Sequence, residues 1–159
     1  MCDYCGCREV GVIGELSDDH ELLMDLVARI RREIGRDRAG TASALSELQS
    51  RLRLHLEREE EGIFVQLAAE PGFDAYLADL EGDHRSAREG LLSLEARSEL
   101  SEAEVVGGLE ELEAHITREE QDLFPACRMV LSAEAFAEAR LAHDRIAARE
   151  SGNEMAASS

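Results

Sequence analysis

Two phrases sixty positions apart, His55-Leu-Glu-Arg-Glu59-Glu60 and His115-Ile-Thr-Arg-Glu119-Glu120, each set a histidine and a carboxylate four residues apart. On a helix that spacing puts both side chains on one face, one turn apart. Imidazole nitrogen beside carboxylate oxygen is the ligand chemistry of iron, manganese and zinc. Two such pairs brought face to face would hold a pair of metal ions.

The elements that must position them read as helices. Apolar residues recur with the 3.6-residue period in four long segments. The first, about Ser17 to Arg36, carries Leu16, His20, Leu23, Val27, Ile30 and Ile34 on one stripe. The second, about Thr41 to Ala69, aligns Leu45, Leu48, Leu52, His55, Glu59 and Ile63, and stops at Pro71-Gly72. The third, about Phe73 to Arg97, aligns Leu77, Leu80, His84, Ala87, Leu91 and Leu94. The fourth starts after Ser98 or Ser101 and aligns Val105, Leu109, Leu112, His115, Glu119 and Leu123, with Pro125 kinking or ending it. A shorter fifth helix covers about Ala133 to Arg149, and 150–159 reads as a disordered tail.

Short loops make neighbouring helices antiparallel, so the expected fold is all-α, an up-down-up-down four-helix bundle with a short additional C-terminal helix. The expected organisation is a Cys-rich arm at 1–15, the bundle at 16–131, the C-terminal helix at 132–149 and the tail at 150–159. Counting along the helices places His20, Glu59, His84 and His115 at one level. His20 lies 18 residues before Arg38, and Glu59 lies 18 after Thr41. Asp19-His20 also echoes Asp83-His84, so two similar helical hairpins would surround the metal pair.

The composition agrees with this fold. The chain has 159 residues, enough for one domain with a buried core. Leu, Ala, Glu and Arg dominate, with only 12 Gly and 2 Pro, which favours helices. A net charge of −18 excludes nucleic acid and anionic membrane as general partners. No segment has the length and apolarity of a membrane span, and the N-terminus lacks the pattern of a signal peptide. A cytosolic monomer is expected.

Four of the five histidines fall on core stripes at one level, two with a carboxylate one turn on. A structural histidine–carboxylate network that only sets register is the alternative, but it would be costly in a core. Iron fits the donor set best, with manganese and zinc behind it. If Glu59 and Glu119 both bridge, each ion takes two His, two carboxylate oxygens and one oxo or hydroxo bridge. One position per ion then stays open for dioxygen, peroxide or nitric oxide.

The pattern His20 … His55-x-x-x-Glu59 … His84 … His115-x-x-x-Glu119, with Phe64 and Leu123-Phe124-Pro125 behind the carboxylates, resembles the hemerythrin HHE cation-binding family. The resemblance spans about Leu16 to Val130 and implies a non-haem di-iron centre held by His20, His55, Glu59, His84, His115 and Glu119. Oxygen-carrying hemerythrins have a second His one turn from the first on the third helix. Here the residues at those places are Leu80 and Arg88. That difference weighs against simple oxygen transport. It favours reaction with a small oxidant, including peroxide decomposition of the catalase kind. Non-catalytic oxygen, NO or iron sensing, storage or carriage is the alternative.

Glu60 and Glu120 sit about 100° round the helix from the ligand carboxylates. They either face solvent, accept a hydrogen bond from a ligand His on a neighbouring helix, or ligate directly. Glu81, and after it Asp83, could complete or orient the coordination of His84. Cys2, Cys5 and Cys7 form a second concentration of ligand-type residues. With Cys127 or His143 they could hold zinc, or the thiols could act in redox chemistry. Cys127 also fits a buried place on the core stripe.

Overall fold

The computed structural model describes residues 11–96 and 101–157. Among these the chain is all-helical, and no helix is long and apolar enough to cross a membrane. Helix α1 spans Gly11–Glu33. It starts six residues before the expected Ser17, because Val12, Ile13 and Leu16 continue the apolar stripe and are buried. Residues 11–15 therefore belong to the helical part rather than to an arm.

Gly35, at φ +74°, takes the left-handed conformation that turns the chain after α1. Asp37 caps α2, Arg38–Glu59, by accepting the Gly40 N–H at 3.0 Å. A Cβ on Gly40 would stand 2.5 Å from Asp37 Oδ2 and 2.7 Å from Glu33 Oε2, so a larger residue there would have to move these two carboxylates. Beyond Glu59 the helix passes through one π-helical turn, Glu60–Phe64, and ends with Val65–Leu67.

Helix α3 spans Asp74–Glu89, shorter than the Phe73–Arg97 expected from periodicity. At Gly90 the backbone leaves the α conformation, and Leu91–Ala96 forms a 3₁₀ segment. Residues three apart eclipse in such a segment, so Leu91 and Leu94 both point into the core. Two carbonyls at the break are capped from α2, Leu91 by Gln49 Nε2 at 2.8 Å and Leu92 by Arg53 Nη2 at 3.3 Å.

Helix α4, Glu102–Arg118, is capped by Ser101 and has Glu102 and Glu104 in its first turn. It too runs into a π turn, Glu119–Leu123, and continues as Phe124–Val130. Pro125 does not end it, since the wide turn ahead leaves a place where no N–H is needed. Helix α5 spans Ala133–Ala157, eight residues past the expected end at Arg149. The stretch expected as a disordered tail is thus helical to Ala157. Arg149 binds Glu61 at 2.9 Å and Glu57 at 3.3 Å, fastening this part of α5 to α2.

Side-chain pairs fix the directions of neighbouring helices. Glu33 meets Gly40 while His20 meets His55, so α1 and α2 run oppositely. Ser86 meets Glu111 and His84 meets His115, which does the same for α3 and α4. Two apolar clusters result. One contains Leu23, Val27, Ile30, Leu48, Leu52 and Leu109; the other contains Ile13, Leu16, Ile63, Leu67, Leu80 and Leu123. His20, His55 with Glu59, His84, and His115 with Glu119 fall between them along α1 to α4. A polar layer is therefore sealed on both sides by hydrocarbon.

Candidate metal centre

All six side chains singled out by spacing converge in that layer. His20, His55, Glu59 and Glu119 form one set of donor atoms within 4.8 Å of one another, and Glu59, His84, His115 and Glu119 form a second. Glu59 and Glu119 are common to both. All six residues are buried.

The imidazoles meet through Nε2, at 3.0 Å between His20 and His55 and 3.2 Å between His84 and His115. Glu119 offers Oε2 to His20 at 3.3 Å and Oε1 to His115 at 3.1 Å, spanning the two sets. Glu59 Oε2 lies 3.3 Å from His55 Nε2 and 3.4 Å from His84 Nε2. None of the four carboxylate oxygens of Glu59 and Glu119 has an aligned hydrogen bond. Buried carboxylates left this way are costly unless a cation completes the site. Four imidazole nitrogens and two carboxylates are donors that iron, manganese or zinc accepts.

Three of the four opposite ring nitrogens are held from outside the layer, and His55 Nδ1 has no hydrogen-bond partner among the described residues. His20 Nδ1 is 3.0 Å from Glu120 Oε1, and His84 Nδ1 is 2.8 Å from Glu60 Oε1. His115 Nδ1 is 3.3 Å from Asp83, and His55 Nδ1 is 3.8 Å from Asp19. Asp19 is bound by Arg58 at 2.7 Å, Asp83 by Arg118, and Glu60 by both Nη atoms of Arg88 at 2.8 Å. When Nδ1–H donates outward, the Nε2 lone pair is left facing the centre, as a metal ligand requires. Phe124 stacks on His20 at 5.4 Å and Phe64 on His84 at 5.1 Å, fixing the ring planes.

These contacts obey the repeat. Asp19, His20, His55, Arg58, Glu120 and Phe124 are matched by Asp83, His84, His115, Arg118, Glu60 and Phe64. The outer arginines were missed in the sequence reading, although an Arg three residues after each His of the opening phrases is a visible signal. Glu81, expected beside His84, is instead solvent-exposed. Its neighbour Asp83 reaches the layer but addresses His115, because α3 presents that carboxylate towards α4.

The carboxylates around the layer raise the proton affinity of two of its imidazoles. Burial alone would lower the His20 pKa, but Glu119 and Glu120 raise it to about 10. The same opposition, won by Glu59 and Glu60, raises His84 to about 9. Burial would raise the Glu59 carboxyl, yet His55 and His84 hold it well below the usual range. Glu60 is brought down to about 2 by His84 and Arg88 against the same opposing effect of burial.

Cys2, Cys5 and Cys7 lie outside the described residues. Cys127 is a free, fully buried thiol in the second apolar cluster, its pKa pushed up to about 12 by burial and then by Glu59. His143 docks α5, with Nδ1 3.2 Å from Glu15 and Nε2 packed towards Gly62. Among the described residues, neither joins a cluster of three ligand-type side chains.

A helical chain enclosing a buried histidine–carboxylate layer defines a cation-binding helical domain. A family model described as the Hemerythrin HHE cation binding domain matches residues 11–127, and the chain belongs to that family. Neither a curated protein nor a solved structure matches it.

Proposed function

We propose that this is a non-haem di-iron protein, an up-down-up-down four-helix bundle holding two irons through His20, His55, Glu59, His84, His115 and Glu119. It binds or reacts with a small oxidant: peroxide, dioxygen or nitric oxide. The observation carrying this reading is the pair of buried carboxylates, Glu59 and Glu119, each shared between two histidine pairs whose Nε2 atoms stand 3.1–3.4 Å away without an aligned hydrogen bond. The opposite directions of α1 and α2 and of α3 and α4 support the bundle.

When bound, an iron pair supplies electrons and open coordination positions for the oxidant. The chain's own part is to prepare the place. Glu120, Glu60 and Asp83 hold the Nδ1 protons of His20, His84 and His115, so the Nε2 lone pairs turn inward. The two apolar clusters and the stacked Phe64 and Phe124 exclude water, which strengthens every charge interaction in the layer.

The test is to give hydrogen peroxide to iron-loaded protein and follow oxygen evolution. The enzymatic reading expects turnover that disappears in His55→Ala. Reversible optical changes with dioxygen or NO, without peroxide consumption, would instead identify a non-catalytic sensing or carrier module.

A further inference from the structure

The two hairpins repeat each other in the metal layer but differ beside it. A cavity of about 300 Å³ opens between α3 and α4, with His84 and His115 in its lining. Leu52, Leu56, Leu91 and Leu112 supply most of its apolar wall. Asp83 and Arg118, bound to each other, are also among the lining residues.

The repeat explains why there is space. Aligning Asp83-His84 on Asp19-His20 places Ala87 opposite Leu23 in the other hairpin. Aligning His115 on His55 places Gly108 opposite Leu48. Leu23 and Leu48 are fully buried and fill the first hairpin. Alanine at the place of Leu23 leaves the second hairpin open there, while Leu91 takes up the space beside Gly108. Gly108 has a further constraint: a Cβ there would meet Leu91 Cδ1 at 3.1 Å and Cβ at 3.2 Å, pressing that leucine out of its place.

We propose that this cavity binds the hydrocarbon part of a small neutral organic hydroperoxide whose oxygen end reaches the His84–His115 side of the layer. The oxygen end rests on the metal-centre reading; the hydrocarbon site does not. A diatomic gas or hydrogen peroxide needs about the room of one water, roughly 30 Å³. The cavity is an order of magnitude larger and mostly apolar, which suits an organic body. Charge selects against an anion: Arg118 is committed to Asp83, and Glu111 adds a carboxylate to the lining.

2-Phenyl-2-propanol, the alcohol that corresponds to an aryl dialkyl hydroperoxide, is an unreactive probe. It is titrated into the zinc-loaded full chain, and then into metal-free protein, while the methyl signals of Leu56, Leu91 and Leu112 are followed by NMR. Saturable shifts confined to those methyls are expected in both forms. Ala87→Leu, which fills the space, and the milder Gly108→Ala, which displaces Leu91, should weaken binding about tenfold or more while zinc content stays unchanged. Absence of saturable shifts in the unaltered chain, or equal binding by folded, zinc-retaining variants, would overturn the proposal. Failure of the chain to take up metal, with alcohol binding intact, would count against the metal centre and leave the cavity standing.

Discussion

Glu60 lies 2.8 Å from Nδ1 of His84, on the ring edge opposite the Nε2 that faces the centre of the bundle. Glu60 follows Glu59 directly in the chain, yet the two serve different places. Glu59 points into the layer from α2, while Glu60 crosses to α3. The π turn that begins at Glu60 inserts one extra residue where these roles divide.

If Glu60 acts by orienting His84, then Glu60→Ala should weaken metal binding about 10- to 100-fold while the fold persists. Arg88→Met should have a smaller effect in the same direction, since it removes only the grip on Glu60. Calorimetric metal titration measures both. Unchanged affinity in Glu60→Ala would show that His84 is positioned by packing against Phe64 alone.

Metal uptake should release protons. In metal-free protein His20 and His84, raised to about 10 and about 9, stay protonated through neutral pH. A cation at Nε2 must displace those protons, so apparent affinity rises with pH until the imidazoles titrate. Stability of the metal-free protein follows the same groups. A raised imidazole stabilises fully below its model value of 6.5, and the contribution is lost as pH climbs through 9 to 10. The lowered Glu60 contributes above its model value of 4.5 and is lost as pH falls towards about 2. The melting temperature of chelator-treated protein is therefore expected to peak between pH 4.5 and 6.5. A melting temperature that rises steadily from pH 6.5 to 9 would be incompatible with these charges.

Gly62 couples α5 to the metal-bearing helix. A Cβ there would sit 3.1 Å from His143 Nε2. Alanine gains up to about 1 kcal/mol in helix propensity but meets an overpacking cost of about 1–3 kcal/mol. Gly62→Ala should therefore be neutral to destabilising in the natural chain and stabilising in a His143→Ala background. Denaturant unfolding of the four proteins measures the coupling. An identical effect of Gly62→Ala in both backgrounds would place His143 elsewhere.

The polar layer was legible because its chemistry is local. His55 and Glu59, like His115 and Glu119, announce themselves at i and i+4, and helix register carries them to His20 and His84. The outer carboxylates were less so. Glu120 and Glu60 could be suspected from adjacency, but choosing Asp83 over Glu81 depends on how α3 is rotated against α4. The π turns have no periodic signature, since each is a one-residue departure from the helix, and the apolar stripe runs on through Leu91 and Leu94 past the stop that Gly90 marks. At α5, sequence reading stopped at Arg149 because the later residues lack an apolar stripe. Arg149 itself, gripping Glu57 and Glu61, fastens the helix near that point.

Iron content tests the central claim most directly. After anaerobic loading with ferrous ion and removal of excess, the natural chain should retain two irons, one for each ligand set. Exposure to air should then give near-ultraviolet charge-transfer bands. Glu119→Ala, which removes a carboxylate common to both sets, should lose most of the iron, and His20→Ala should lose part of it. A natural chain that folds and melts identically with and without chelator, and retains no stoichiometric metal, would contradict the account.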